Sequence, residues 1–437
     1  MKYILQSLFA LLILSSTSFA QSGTGIFLKG IPGFVSIDMD HDEDGNTYVL
    51  GHSGGQAKII KYDSAGGTDP DLDIALGSFV PVAFDVAGSG EGARAYVVSS
   101  SKVYEVNLPA RTKVPYLSPV NYGFSNGIAD VVYVAATNRV VVGVNWIFPA
   151  ILNYSPGTQA ASTSFLYYVD GASPAGSLAF GTLNSLAADD IGNVYAVGQT
   201  SAAFGGPITA FLSKLSVNAA GNYPEYSYDG TRPAGMGNAL DLTYRNGWMY
   251  LVGKWSVLPS GFSGPFDEFM IVQRFDTTLV LSELFVFRNA AYTSLSGAVP
   301  ANRNKFGISA DALDNVYITG YTGVGTTYFY DGDGEEEKSV ANSSESAFVV
   351  KLDTDFKYRW IKTPIQGPFP TMGSHLNIAW DAENSRLWWT GSFSGSTGLT
   401  MQEGADAGTA KVLGSEAGSQ GFVAVFEPEN NFTDSSS

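Results

Sequence analysis

Short runs of alternating apolar residues, separated by Asp, Asn and Gly, recur along the whole chain. The two clearest copies are Ser185 to Thr200 and Ile308 to Thr322. A second apolar piece containing a Lys-Leu pair follows each copy, at Ala210 to Ser216 and at Ala347 to Asp353. Alternation over so few residues predicts β-strands, and Asp, Asn and Gly between the runs predict tight turns.

Weaker copies of the same pattern bring the total to seven. They span Ile37 to Ser53, Phe84 to Ser100, Ile128 to Asn145, Leu240 to Trp255 and Ile378 to Phe393. The second strand of each copy ends, in chain order, at Gly51, Ser99, Gly143, Gly198, Gly253, Gly320 and Gly391. These positions lie about 45 to 70 residues apart, and short strands repeating at about this period are typical of β-propeller blades. The sequence therefore predicts an all-β fold, a seven-bladed β-propeller.

The two ends of the chain are expected to meet. The last copy stops after its third strand, Phe422 to Phe426, and lacks a fourth. An unpaired apolar segment, Ile26 to Lys29, precedes the first copy, just as Arg359 to Lys362 precedes the seventh. An open sheet edge invites pairing with other chains. We therefore expect the N-terminal strand to close the last blade.

The first strand of each blade lies nearest the axis, where space is smallest. The residue before its central apolar residue is small in every copy: Ser36, Ala83, Gly127, Ser185, Ala239, Gly307 and Asn377. We expect this position to line a narrow central channel.

Composition excludes several classes of function. The 437 residues include 41 acidic and 24 basic side chains, for a net charge of −17, with no Cys and 3 His. So acidic a chain repels phosphate groups, which argues against nucleic acid as a partner. Without Cys there is no disulfide scaffold, no thiolate zinc site and no Cys nucleophile.

The N-terminus has the features of a secretory signal peptide. Lys2 precedes a mostly apolar stretch from Tyr3 to Leu14, and Ser18-Phe19-Ala20 is a small-x-small cleavage sequence. The stretch is too short for a standard membrane span, although an uncleaved anchor is the alternative. We expect residues 1–20 to be a signal peptide, residues 21–427 the propeller and residues 428–437 a disordered tail. The mature chain would then be secreted, with no membrane span.

The repeat resembles a known family. In copies four and six, Asp189 to Thr200 and Asp311 to Thr322 followed by Ala-Phe-x-x-Lys-Leu look like the SBBP family of β-propeller repeats, which occurs in secreted and surface proteins. Copies two and three lack the Asp and Asn of the turn. The resemblance implies a seven-bladed propeller outside the cell, and it brings no catalytic motif with it.

Long insertions are expected between the second and third strands of four blades, on one face of the ring. They span Trp146 to Ser164, Ser256 to Glu268, Gly323 to Ser346 and Ser394 to Gln420. Their candidate ligand contacts are Trp146, Phe262, Tyr328 and Tyr330, because loops on a rigid scaffold concentrate binding residues and aromatic rings stack on sugars. Alternatively, these rings only anchor the loops.

Three Asn residues occupy equivalent positions at the entry of blades three, four and five. They are Asn126, Asn184 and Asn238, each two residues before the central apolar residue. An amide both donates and accepts hydrogen bonds, so this arc could bind hydroxyl groups at the mouth of the channel. Alternatively, each amide caps the backbone where the strand begins.

One turn has the spacing of a cation-binding loop. Asp40, Asp42, Asp44 and Asn46 present oxygen atoms at alternate positions, with a Gly between the last two, as at the start of a Ca²⁺ loop. The bidentate Glu of such loops is absent, and a blade turn requires Asp and Asn for backbone reasons alone. Ca²⁺ on these four residues is the one cofactor that the sequence suggests.

Motifs for catalysis are poor. The three His residues belong to different copies, and no nucleophile elbow, phosphate loop or HExxH motif occurs. Asp38, Asp85 and Asp241 occupy equivalent inner-strand positions, where paired carboxylates could cleave glycosides or lactones, but their blades are not all adjacent. The sequence therefore favours a secreted binding or adhesion module for an extracellular glycan or protein. The alternative is an extracellular carbohydrate-active or lactone-cleaving enzyme that uses channel carboxylates.

Overall fold

The computed structural model describes sixteen segments of the chain, and every structural statement below concerns them. They are residues 27–63, 73–117, 127–145, 149–156, 161–166, 180–201, 208–227, 229–255, 269–289, 306–322, 325–342, 346–362, 372–394, 399–401, 411–413 and 419–426. Within them the chain forms strands and two single 3₁₀ turns, at Gly90–Gly92 and Ala135–Thr137. None of the described helical turns is long or apolar enough to cross a membrane.

The first strand, β1 (Phe27–Pro32), belongs to the last blade, and the next four blades follow in chain order. Blade 1 contains β2 (Val35–His41), β3 (Thr47–Ser53), β4 (Gln56–Tyr62) and β5 (Ile74–Ser78). Blade 2 contains β6 (Pro81–Ala87), β7 (Arg94–Ser99), β8 (Val103–Asn107) and β9 (Thr112–Leu117). Blade 3 contains β10 (Ile128–Val134), β11 (Arg139–Asn145), β12 (Pro149–Tyr154) and β13 (Ala161–Leu166). Blade 4 contains β14 (Phe180–Ala188), β15 (Val194–Ser201), β16 (Ile208–Leu215) and β18 (Asp229–Thr231), while β17 (Tyr226–Ser227) pairs with β13.

The remaining blades carry the insertions. Blade 5 contains β19 (Met236–Arg245), β20 (Trp248–Trp255), β21 (Phe269–Asp276) and β22 (Leu281–Asn289). Blade 6 contains β23 (Gly307–Ala310), β24 (Val316–Thr322), β27 (Ser346–Leu352) and β28 (Tyr358–Lys362), and its insertion forms β25 (Gly325–Tyr330) and β26 (Glu336–Asn342). Blade 7 contains β29 (Met372–Asp381), β30 (Arg386–Ser394), β33 (Ser419–Phe426) and β1, and its insertion forms β31 (Leu399–Met401) and β32 (Lys411–Leu413).

The seven blades form a closed ring. The innermost strand of each blade contacts that of the next, from β2 and β6 round to β29, which contacts β2 again. The strand β1 pairs antiparallel with β33, with Phe27 opposite Val425 and Pro32 opposite Gln420. The predicted all-β, seven-bladed propeller, with its last blade closed by the N-terminal strand, is confirmed.

The repeated glycine at the end of each second strand has a steric cause. At Gly198 and Gly253, a Cβ atom would overlap the carbonyl oxygens of Thr182 and Asn238, which lie on the adjacent inner strands. At Gly51 it would overlap the carbonyl oxygen of Val35 in the same way. At these three positions the backbones approach so closely that only glycine fits. At Gly143, Gly320 and Gly391 a Cβ atom would instead overlap the side chains of Leu183, Phe306 and Leu376. The marker that revealed the repeat is therefore a packing requirement of the innermost strand pair.

The first expected insertion is part of the sheet. The segment Trp146 to Ser164 was expected to be a loop, but it supplies β12 and the beginning of β13, which are the third and fourth strands of blade 3. Tyr154 is fully buried there. The antiparallel pairing of β12 with β11 makes this segment part of the sheet.

The insertion of blade 6 extends its neighbour. β25 and β26 form a hairpin, and β25 pairs antiparallel with β22, the outer strand of blade 5. Tyr328 lies opposite Arg288 and Tyr330 lies opposite Val286. Phe329, on the other side of β25, is fully buried in the core that blades 5 and 6 share. Blade 5 therefore has six strands, and the hairpin covers the edge that β22 would otherwise expose.

The predicted channel residue of the inner strand is wrong in three blades. In blades 1 to 5 the pairing with the second strand skips one residue, which forms a β-bulge; the skipped residues are Ile37, Val82, Ala129, Asn184 and Leu240. The residue after each bulge lines the channel. In blades 2 and 4 that residue is the predicted Ala83 or Ser185. In blades 1, 3 and 5 it is Asp38, Asp130 and Asp241, and not the predicted Ser36, Gly127 and Ala239.

Candidate functional site

A cavity of about 310 Å³ lies at the centre of the ring and is lined by the inner strands of all seven blades. Its acidic side chains are Asp38, Asp40, Asp85, Asp130 and Asp241. Its neutral polar side chains include Asn184, Ser185, Ser309 and Asn377, and its side chains able to carry a positive charge are His41 and Arg245. The central channel is therefore polar and predominantly acidic.

Three of these carboxylates bridge neighbouring blades. In each, one oxygen accepts the N–H of the following residue, and the other accepts an N–H from the inner strand of the next blade. The bonds across the boundary join Asp38 to Phe84 N–H (3.0 Å), Asp130 to Leu186 N–H (2.7 Å) and Asp241 to Ile308 N–H (3.0 Å). Because these bulged strands leave backbone donors at the boundary, the carboxylates satisfy groups that would otherwise be buried without partners.

Asp40 and Asp85 form a second layer in the channel, nearer the turns between the first and second strands. Asp40 Oδ2 accepts Val86 N–H at 2.6 Å, and Asp85 Oδ2 accepts Tyr133 N–H at 2.5 Å. Burial, followed by the charge of Asp40, raises the pKa of Asp85 well above its usual 3.8.

The channel disfavours charge in general. Burial is the main cause that raises the pKa of Asp38, and the nearby charge of Asp130 raises it further. Burial likewise raises the pKa of Asp241. For His41, burial lowers the pKa and so favours the neutral imidazole. Desolvation opposes ionisation of both acids and bases, and it acts here on groups of both kinds.

At the channel mouth, two of the three predicted Asn residues meet. Asn184 Nδ2 donates to Asn238 Oδ1 at 2.7 Å and to the carbonyl oxygen of Ala239 at 2.6 Å. Asn126 lies outside the described residues. Asn184 therefore serves the backbone of the neighbouring blade, which is the structural alternative that the sequence left open.

The predicted aromatic contacts are only partly described. Trp146 and Phe262 lie outside the described residues. Tyr328 and Tyr330 lie on β25, with their rings stacked at 6.3 Å, and both are half-buried. They belong to the outer flank of blade 5 and not to a loop on the face of the ring, because the hairpin extends the sheet of that blade.

Of the four residues expected to hold Ca²⁺, Asp42, Asp44 and Asn46 line one small cavity, and Asp40 lies apart from them in the channel. Asp40 is the next-to-last residue of β2 and lies in the channel, whereas Asp44 Oδ2 accepts Gly90 N–H at 2.8 Å in blade 2. Asp42 turns back on its own loop and accepts hydrogen bonds from Asn46 Nδ2 (2.8 Å) and from Tyr48 Oη (2.9 Å). Among the described residues, no group of three or more His, Asp or Glu side chains is placed to hold a metal ion.

The turn around Asp42 repeats in two other blades. An Asp accepts hydrogen bonds from the backbone N–H and side-chain amide of an Asn four residues later and from a Tyr hydroxyl six residues later. The triplets are Asp42-Asn46-Tyr48, Asp189-Asn193-Tyr195 and Asp311-Asn315-Tyr317. All three Asp side chains are buried. The repeated Asp and Asn of the sequence pattern are therefore explained by hydrogen bonds within the turn.

Sequence reasoning missed two channel carboxylates. Asp40 was assigned to the turn because it lies within five residues of Asp44, and Asp130 was overlooked because blade 3 lacks the turn pattern. The signal that could have found Asp130 is the Asp at the same point of the inner strand in blades 1 and 5. The bulge before each of these Asp residues hides that equivalence in an ungapped comparison.

Comparisons with known proteins bear on the fold alone. No protein-family model matches the chain, and no curated protein matches it. The resemblance to SBBP repeats therefore stays a prediction. Among solved structures, the chain is similar to the crystal structure of the β-propeller domain of Cps50 (Swd1) from Myceliophteria thermophila. That similarity has 11% sequence identity and a TM-score of 0.45, and it covers 76% of this chain and 97% of that chain.

Proposed function

We propose that this protein is a secreted binding or adhesion module that takes an extracellular glycan or protein on one face of its ring. The observation that carries the proposal is the asymmetry of the two faces. The turns between the first and second strands are short in every blade, as at 246–247 and 311–315. On the other face, the connections between the second and third strands reach 13 residues at 256–268 and 24 at 395–418, and the connection from blade 5 to blade 6 has 17 at 290–306. The connections between the third and fourth strands, on the face of the short turns, reach 13 residues at 216–228. A rigid ring that carries its long connections on one face is a common arrangement for binding.

The engagement of the channel carboxylates supports binding over hydrolysis. A glycosidase needs one carboxyl group to protonate the leaving group and another to attack or to activate water. Asp38, Asp130 and Asp241 each accept two backbone N–H groups. Asp40 and Asp85 each accept one backbone N–H from the next blade. These groups have a structural task that explains their presence without catalysis.

The proposal is tested with a glycan array and a panel of extracellular proteins, probed with the mature chain. Trp146→Ala and Phe262→Ala truncate aromatic residues in connections between second and third strands, at 146–148 in blade 3 and at 256–268 in blade 5. Ile191→Ala and Leu313→Ala are matched controls, because these apolar residues are 73% and 63% exposed on the turns of the opposite face. We expect the first pair to weaken binding about tenfold or more and the controls to leave it unchanged.

Two results would contradict the proposal. Binding that survives both aromatic variants but fails in the controls would put the ligand on the opposite face. Release of sugar or ring-opened lactone by the wild-type chain, and its loss in Asp85→Asn, would favour the enzyme instead.

A further inference from the structure

One side of the hairpin formed by β25 and β26 fastens it to blades 5 and 6. Phe329 is fully buried, and its ring centroid lies 6.1 Å from that of Phe287 in blade 5 and 5.5 Å from that of Tyr358 in blade 6. On β26, Glu337 Oε2 accepts Tyr358 N–H at 2.6 Å. Together with the pairing of β25 and β22, these contacts give the other side of the hairpin a fixed support.

The other side of the hairpin carries two aromatic rings among polar groups. Tyr328 and Tyr330 occupy alternate positions of β25 and are half-buried, with ring centroids 6.3 Å apart. Arg288 of β22 lies opposite Tyr328. On β26, Ser339 lies opposite Tyr328 and Glu336 lies opposite Tyr330. Side chains of directly paired residues share one face of a sheet, so these five residues form one surface, here called the flank patch.

The flank patch extends beyond the apolar cores. Val286, opposite Tyr330, belongs to the core between blades 4 and 5, and Tyr330 packs against the edge of that core. Tyr328 belongs to none of the apolar cores that the described residues form. Ser339 and Glu336 are exposed. The patch faces the side of blade 4, whose outer strand β18 has only three residues and offers little sheet to cover it.

We propose that the flank patch is a binding surface for a neutral oligosaccharide. Aromatic rings stack on the C–H faces of sugars, and neighbouring polar groups bond the sugar hydroxyls. Two rings at alternate positions of one strand offer this contact to successive sugar units. Arg288 donates hydrogen bonds, Glu336 accepts them and the Ser339 hydroxyl does both. The inference rests on the proposed function, since it takes the ligand to be extracellular, and it assigns the glycan to a different surface.

Charge in the flank patch favours a neutral ligand. Burial is the main cause that raises the pKa of Tyr330, and the charges of Arg288 and Glu336 shift that pKa in opposite directions. One charge of each sign therefore lies near the ring, and the patch has no excess charge. The chain as a whole carries a net charge of −17, which repels acidic polymers. A neutral glycan meets no such repulsion, and its hydroxyls can use both the donor and the acceptor.

The test begins with an array of neutral oligosaccharides probed with the mature chain, followed by calorimetry with an oligosaccharide that binds. Tyr328→Ala and Tyr330→Ala remove the rings one at a time, and Tyr328→Phe keeps the ring without its hydroxyl group. Tyr104→Ala is the matched control, because Tyr104 is also a half-buried tyrosine on a strand, stacked on Phe79 at 4.9 Å in blade 2.

We expect the affinity to fall about tenfold or more in Tyr328→Ala and in Tyr330→Ala, as for an aromatic residue at the centre of a binding surface. Tyr328→Phe should lose less, and Tyr104→Ala should bind as the wild type does. Hydroxyl-radical footprinting of the wild type keeps the test open even if a variant does not fold. The bound oligosaccharide should protect Tyr328 and Tyr330 from oxidation and leave Tyr104 unprotected.

The outcomes distinguish this inference from the proposed function. Glycan binding that is lost in Tyr328→Ala and retained in Trp146→Ala and Phe262→Ala would support the flank patch. The reverse result would overturn it and leave the glycan on the face with the long connections.

Two further results would also overturn the flank patch. One is the absence of binding to every oligosaccharide on the array, after which the panel of extracellular proteins would still test the proposed function. The other is a protein ligand that Tyr328→Ala releases in the absence of any glycan binding, since it would make the patch a protein interface.

Discussion

Removing the Asp241 carboxylate should loosen the boundary between blades 5 and 6. Asp241 accepts hydrogen bonds from Leu242 N–H at 2.8 Å, Ser185 Oγ–H at 2.9 Å and Ile308 N–H at 3.0 Å. Asp241→Ala leaves both N–H groups without an acceptor, whereas the Ser185 hydroxyl can rotate to another partner. Asp241→Asn keeps one carbonyl oxygen and so leaves one N–H unsatisfied.

The magnitude follows from the number of unsatisfied donors. Each buried backbone N–H without a partner costs about 1–3 kcal/mol, so the alanine variant loses about 2–6 kcal/mol from this cause. Removing a carboxylate whose ionisation is opposed by burial returns part of that loss. A net loss of about 2–4 kcal/mol lowers the melting temperature of a domain of about 400 residues by about 2–5 °C. Ser185→Ala, which removes only the hydroxyl donor, should cost about 1 kcal/mol.

Calorimetry of the series and hydrogen exchange at two amides provide the assay. We expect stability to decrease in the order wild type, Ser185→Ala, Asp241→Asn, Asp241→Ala. Exchange should become faster at the amides of Leu242 and Ile308 before it does so in the cores between other blades. If Asp241→Ala has the same melting temperature as the wild type and both amides stay protected from exchange, the carboxylate does not bridge the blades and the reasoning fails.

Three further predictions follow from the same structure. The carboxylate of Asp42 already accepts hydrogen bonds from Asn46 and Tyr48. The melting temperature should therefore be the same in millimolar Ca²⁺ and in chelator, and a clear rise with Ca²⁺ would support the predicted metal site. Deleting residues 21–32 removes six residue pairs from β33 and should cost about 6 kcal/mol at about 1 kcal/mol per hydrogen bond. A peptide of residues 25–34 should restore part of that loss, and an unchanged melting curve would refute closure by this strand. The raised pKa of Asp85 makes its stabilising effect complete below its usual value of 3.8 and lost as pH rises through the higher folded pKa. The wild type should therefore lose more stability than Asp85→Asn as the pH rises above 3.8, and parallel pH profiles would contradict this.

The number of blades and the closure of the ring could be predicted because they depend on local signals that recur. The second-strand glycine recurs in six of the seven copies because a Cβ atom there would overlap a neighbouring backbone or side chain. Counting strands shows that the last copy ends after its third strand, Phe422 to Phe426, and that the segment Ile26 to Lys29 belongs to no copy. The two could therefore be matched from the sequence. Both signals are independent of which side chain touches which.

The details of the channel could not be predicted, because they depend on bulges and on contacts between blades. A single skipped residue at Ile37, Ala129 or Leu240 changes which side chain faces the axis, and nothing in an apolar run marks where the skip occurs. Asp40 and Asp42 also lie in different environments, because Asp40 belongs to a strand that lines the channel and Asp42 belongs to the turn after it. The pairing of β25 with β22 joins segments from different repeats, and no local pattern encodes that choice of partner.

The seam between β1 and β33 also determines how the ring responds to mechanical load. Because the two strands are antiparallel, Phe27 lies opposite Val425, and both ends of the chain leave the blade on the same side. A force that pulls the two ends apart would therefore separate the paired residues of β1 and β33 one pair after another, starting at Phe27 and Val425. A force applied through one end and through another blade would load the ring without peeling this seam. A propeller tethered at one terminus would thus bear tension without opening this seam. Tension applied between both termini would separate β1 from β33.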